Sequence, residues 1–110
     1  MPHFISLSDI RTAILKSRRM AFTYEKSQVV ADFYLLGQAR KTGAYIIIAW
    51  MVEPVQEWRL LRYSMIKDLE PAGSIDVLRR DFNPNHPKLA TVDTLAFTAA
   101  VHSQSVLHAR

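Results

Sequence analysis

The chain has 110 residues, of which 14 are Lys or Arg, 10 are Asp or Glu, 4 are His and none is Cys, and 49% are hydrophobic. That length is one domain's worth, which excludes a two-lobed enzyme, and the lack of cysteine excludes disulfides and thiolate metal sites. The formal charge of +4 is spread along the chain rather than gathered into an arm, so it permits an anionic partner without requiring one.

Met1 to Leu7 contains no apolar leader segment, and the longest strongly apolar stretch, Ala44 to Val52, is about half the length that a membrane helix needs. A cytoplasmic chain with no membrane partner is therefore expected. Leu7, Ile10, Ala13, Ile14 and Ser17 share one face at helical spacing, with Arg11, Thr12, Lys16 and Arg18 elsewhere, which predicts a short amphipathic helix. Ser6 followed by Asp9 resembles an N-capping arrangement.

After Arg19 the period changes to two. Met20, Phe22 and Tyr24 alternate with Ala21 and Thr23 as in a half-buried strand, and Glu25 to Gln28 reads as a turn. Val29 to Leu36 is a second strand ended by Gly37, and Arg40 to Gly43 is a hairpin connection. Ala44 to Val52, rich in β-branched and aromatic residues, is expected to be the central strand, covered on both faces. Glu53 to Glu57 breaks it, Trp58 to Tyr63 resumes a strand, and Ile66 to Leu69 is a further short one stopped by Pro71-Ala72-Gly73.

Ile75 to Phe82 suits one helical turn or two, and the prolines in Asn83 to Pro87 forbid regular structure. From Lys88 to Val101 apolar positions suit either a helix (Val92, Leu95, Ala96, Ala99) or a strand (Leu95, Phe97, Ala99), and a weak helix is the expectation. Ser103 to Arg110 reads as a frayed tail. The division is thus a tail at 1–6, a domain at 7–88 and a C-terminal segment of unsettled structure at 89–110. A helix followed by four or five closely spaced strands is an α+β, mainly β pattern, and points to a small antiparallel barrel with a helix on its side.

Enzymatic motifs are missing. Gly37, Gly43 and Gly73 are isolated, so no phosphate-cradling loop exists. His3, His86, His102 and His108 lack metal-ligand spacing and read as solvated surface residues. Glu53 and Glu57 read as solvated loop acids rather than paired catalytic carboxylates, and no catalytic residue, cofactor or metal is assigned. The informative stretch is Trp58 to Tyr63. On a strand Arg59, Leu61 and Tyr63 share one face and Trp58, Leu60 and Arg62 the other, so the arginines project to opposite sides. A guanidinium there clamps a phosphate or carboxylate, or pairs with a nearby acid such as Glu57.

The order of these motifs resembles the WYL domain family. Ile10 to Ile14 stand for its helix, Phe22-Thr23-Tyr24 for its first strand, Gly43-Ala44-Tyr45-Ile46 for its signature and Trp58 to Arg62, with Ile66 and Leu69, for its arginine segment. Phe82 to Asn85 matches a short tail of small stand-alone members. The match covers about residues 7 to 88, with Ala44 and Ile46 in place of the signature Trp and Leu, and Met65 in place of a further arginine. The resemblance implies an Sm- or SH3-like barrel that senses ligands without the helix-turn-helix of larger members. It places Tyr45 at the signature tyrosine and Arg59 and Arg62 at the ligand-facing arginines, with Tyr45 or Trp58 available for stacking. The expected function is non-enzymatic binding of a nucleotide or short single-stranded nucleic acid in a regulatory role. The alternative is a homo-oligomerising interaction domain, a homodimer for instance, with no small ligand.

Overall fold

The computed structural model describes residues 5–96; His3, His102, His108 and the tail at 103–110 lie outside them. The helix is α1, Leu7–Leu15, and the capping box is complete: Asp9 N donates to Ser6 Oγ at 3.1 Å and Ser6 N to Asp9 Oδ2 at 3.2 Å. Two of the first-turn N–H groups that a helix leaves unpaired are thereby satisfied. Ile10, Ala13 and Ile14 are buried, the face that the sequence pattern picks out.

Six strands follow: β1 Arg18–Tyr24, β2 Ser27–Ala39, β3 Tyr45–Glu53, β4 Glu57–Arg62, β5 Ile66–Ser74 and β6 Leu89–Leu95, with one 3₁₀ turn, Tyr63–Met65, between β4 and β5. All pairings are antiparallel, and the order is β4-β3-β2-β1-β5, with β6 also paired to β2. The fold is therefore α+β and mainly antiparallel sheet. It is an open sheet whose path ends at β4 and β5, so the closure expected of a barrel is not observed. A bond outside the strand ladders links the terminal strand β4 to β1: Arg62 N donates to the hydroxyl of Tyr24, the last residue of β1, at 2.9 Å.

β2 organises the sheet. Its first half pairs with β1 and its last five residues with β6, while β3 runs along the opposite edge. The β1–β2 turn is tighter than the sequence suggests, because Glu25 and Lys26 both take positive φ (49° and 69°), the pattern of a two-residue turn, and Ser27 already pairs with Tyr24. Buried residues on the helix side are Val29, Ala31, Phe33 and then Leu36. The change of parity coincides with a register shift against β3 between Phe33 and Leu35. Such an irregularity moves the alternation by one residue, so Leu35 instead joins Ile46, Ile48 and Leu89 in a second cluster on the other face.

Several sequence expectations are corrected. The central strand of the sheet is β2 rather than β3, which lies between β2 and the terminal strand β4. Gly37 does not end β2; it lies inside it, where the lack of a side chain lets β6 approach. Pro71 and Gly73 do not stop β5, which runs to Ser74; β5 is a terminal strand, and irregular register with β1 accommodates the proline. Leu89–Leu95 is a strand rather than part of a weak helix, because pairing with the end of β2 outweighs a local pattern that fits both periods. The segment 75–88 is irregular and contains no helical turn.

The helix and β6 are tied by Arg11, whose Nε and Nη2 donate to the two Asp93 carboxylate oxygens at 2.7 and 2.8 Å. That bidentate bond, with the Thr94 hydroxyl donating to the same group, holds the Asp93 carboxyl at about 2 instead of 3.8. A carboxyl lowered in the folded state adds stability above its unfolded value, and the contribution is lost as pH falls from about 4 towards 2. Asp93→Asn is therefore expected to flatten the fall in melting temperature over that interval. An unchanged acid limb would show that the pair adds nothing, as many exposed ion pairs do.

Candidate functional site

The alternation expected along β4 is present. Trp58, Leu60 and Arg62 face one way, with Trp58 and Leu60 against the second apolar cluster. Leu61 is buried in the helix-side core, Tyr63 packs on that core from the following turn, and the Arg59 guanidinium lies 5.6 Å from the Tyr24 ring centroid. Arg59 and Arg62 make no ion pair with a described acid, and Glu57 in particular is not their partner.

The four residues singled out by sequence are not brought together. Tyr45 is half-buried at the start of β3 and meets Tyr63 edge-on at 6.4 Å, while Tyr63 donates its hydroxyl to the Ile5 carbonyl. Trp58 sits in an aromatic cluster, edge-on to Tyr34 (4.9 Å) and Trp50 (5.3 Å) and tilted against Phe82 (5.5 Å). Its indole N–H donates to Asp81 at 3.2 Å. Arg79 completes that group: its guanidinium lies 3.7 Å from the Trp50 centroid, it chelates Asp81, and its N–H donates to the Tyr34 hydroxyl. The guanidinium and the indole hold the Asp81 carboxyl below its ordinary range, and burial pushes the Tyr34 phenol up. The aromatic rings thus fasten the 75–88 segment to the sheet instead of offering an open stacking platform.

Arg62 projects into a different place, a groove of about 520 Å³ whose lining includes Arg40, Lys41, Arg62 and Lys88 and no carboxylate. Its apolar floor is made by Ala39, Ala44, Ile46 and Leu60. Three separate pieces of chain converge there: the β2–β3 hairpin, the end of β4 and the segment that leads into β6. The hairpin is set by Gly43, at φ 72°, with Gly43 N donating to Ala39 O and Ala39 N to Ala44 O, both at 2.8 Å. Thr42 Oγ1 accepts from Ala44 N at 3.2 Å.

Arg40 braces the walls. Its backbone N–H donates to Lys88 O at 2.8 Å and its side chain donates to the carbonyls of Leu89 (2.8 Å) and Pro87 (3.4 Å), which locks the hairpin to the root of β6. On the far side Lys88 N donates to Nδ1 of His86, so that half-buried ring is structural rather than freely solvated. Lys41, Arg62 and Lys88 carry no ion pair to a described acid. Clustered cations without a lining carboxylate raise the local positive potential, which attracts anions.

Sequence reasoning reached Arg62 but missed Arg40, Lys41 and Lys88. They lie in loops, and their only signal was positive charge beside the turns at Thr42-Gly43 and Pro87. Two smaller hollows, of about 350 and 360 Å³, differ in character. One is lined by Asp9, Arg18 and Asp68 among others, and the second by Glu53, Asp68 and Glu70. Among the described residues no group of three or more His, Asp or Glu is placed to hold a metal, and no helix is long and apolar enough to cross a membrane. In comparisons with known proteins, the chain matches no family model, no curated protein and no solved structure.

Proposed function

We propose that this chain is a non-enzymatic, cytoplasmic binding module whose cationic groove takes an anionic ligand, a nucleotide or a short single-stranded nucleic acid, in a regulatory role. The observation that carries this reading is the convergence of Arg40, Lys41, Arg62 and Lys88 on one groove free of lining carboxylates. Guanidinium and ammonium groups so placed make charge-assisted bonds to phosphate, stronger than neutral ones. The kinship with WYL domains and the Sm- or SH3-like barrel belong to the same proposal. Support for a curled sheet comes from the register shifts along β2 and from the Tyr24 to Arg62 bond, which joins β1 to β4 although two strands separate them in the sheet order. The site differs from the one the resemblance implies, since Tyr45, Trp58 and Arg59 do not line the groove.

The test is a thermal-shift screen of nucleotides and oligonucleotides at two salt concentrations. A ligand-induced rise in melting temperature that shrinks with salt is expected. Arg62→Ala is expected to lower the affinity about tenfold and, for a single strand, the salt slope by roughly 0.7. If nothing shifts the melting temperature at low salt, the reading falls. A dimer that persists in high salt and in Arg62→Ala would instead favour the self-associating alternative, in which the groove has no small ligand.

A further inference from the structure

Within the reading just given, on which this inference rests, the geometry points to a compact organic polyphosphate as the ligand: a nucleoside di- or triphosphate, seated with its phosphates on Lys41, Arg62 and Lys88 and its body on Leu60 and Ile46. Three observations separate it from a nucleic-acid strand.

The first is the division of labour among the cations. Arg40 spends its Nε and Nη2 donors on the carbonyls of Pro87 and Leu89, so it holds the groove's shape and adds positive field. Lys41, Arg62 and Lys88 are all exposed, and their charges are not neutralised by a described acid. Three uncommitted cations from three chain segments suit a ligand with several negative charges at one end rather than a single carboxylate or monophosphate.

The second is the absence of a π surface. Binding of single strands without sequence preference relies on aromatic side chains under successive bases. No aromatic residue lines this groove. Tyr45 is packed against Tyr63, and Trp50 and Trp58 are engaged by Arg79, Tyr34 and Phe82. What lies beside the cations is aliphatic, Ala39, Ala44, Ile46 and Leu60, which packs against one flat or apolar body without a register of stacked bases.

The third is size. A groove of about 520 Å³ falls in the ordinary range of small-molecule sites. A lining that combines cations with aliphatic side chains matches a molecule that carries a polyanionic group on a less polar body.

The experiment titrates the full chain, by calorimetry at low salt, with adenosine triphosphate, adenosine monophosphate, inorganic tripolyphosphate and a deoxythymidine decamer. The triphosphate is expected to bind at least about tenfold more tightly than the monophosphate, since it engages cations that a single phosphate leaves empty. It is also expected to bind more tightly than tripolyphosphate, which lacks the body. Lys41→Ala and Lys88→Ala are each expected to weaken the triphosphate severalfold with an unchanged circular dichroism spectrum. Leu60→Thr is expected to weaken the triphosphate and leave tripolyphosphate unaffected. Binding of the decamer with none by the triphosphate would overturn this assignment while leaving the broader proposal standing. Equal affinity for triphosphate and tripolyphosphate would overturn the role of the apolar floor. Binding of none of the four would overturn both.

Discussion

Gly37→Ala is expected to lower the stability of the protein by about 3 kcal/mol, the upper end of what overpacking a core position costs, and to lower the melting temperature by about 10 °C or more. The reason is steric. A Cβ at position 37 would fall on the backbone carbonyl of Thr91, well inside contact distance, and 2.7 Å from Leu89 Cδ2. A flexible side chain can swing away from such a contact, but a strand backbone in a paired sheet moves only by giving up its register. Gly37 itself needs no unusual φ, so conformational strain plays no part. The damage is expected to be local first: amides of 89–95 and 35–39 lose hydrogen-exchange protection while the β1–β2 pairing, which lies at the other end of β2, keeps its own. A variant that retains both the melting temperature and the β6 protection would show that the two strands separate more easily than their packing implies.

The second large effect concerns Arg19 and Asp32, paired across β1 and β2 by two bonds of 2.8 and 3.1 Å. The Asp32 side chain is only 4% exposed, whereas Arg19 keeps 36% of its surface in water. Removing the arginine strands a carboxylate in the protein, a change that costs several kcal/mol at a fully buried pair. With Arg19 partly solvated, about 2 kcal/mol is expected for Arg19→Ala by denaturant unfolding. Replacing both partners, as in Arg19→Met with Asp32→Leu, is expected to recover most of that loss, since no unpaired charge remains. If the single and the double variant prove equally unstable, packing rather than charge holds this part of the sheet.

How far the sequence reveals this molecule depends on whether a feature is local. The helix, its capping box and the alternation of Trp58-Leu60-Arg62 against Arg59-Leu61-Tyr63 are written in spacings of a few residues, and the structure has them. Gly37 misleads because a glycine between apolar residues looks the same whether it ends a strand or admits a neighbour, and the neighbour lies more than fifty residues away. Leu89–Leu95 misleads for the same reason, its strand form being supplied by β2. The groove was half legible. Arg62 was reached through its strand, but Arg40-Lys41 and Lys88 are ordinary loop cations until the fold places the hairpin beside the root of β6. Tyr45 and Trp58 drew attention because aromatic rings suit ligands as well as cores, and here the fold has used both for packing.

Because β1 and β6 lie in sequence along one edge of β2, the strands do not assemble on equal terms. The pairings β1–β2, β2–β3 and β3–β4 are between neighbours in the chain and close short loops, whereas β6 must return across β3, β4, β5 and the 75–88 segment to find its edge. Long-range pairing meets its entropic cost before it gains contacts, so β6, like β5 on β1, is expected to dock after those three local pairings have formed. Lys88 and the carbonyls that Arg40 grips arrive with it. A nascent or partly opened chain therefore already has a sheet but not yet the cationic groove, whose walls are completed only as the long-range strands dock.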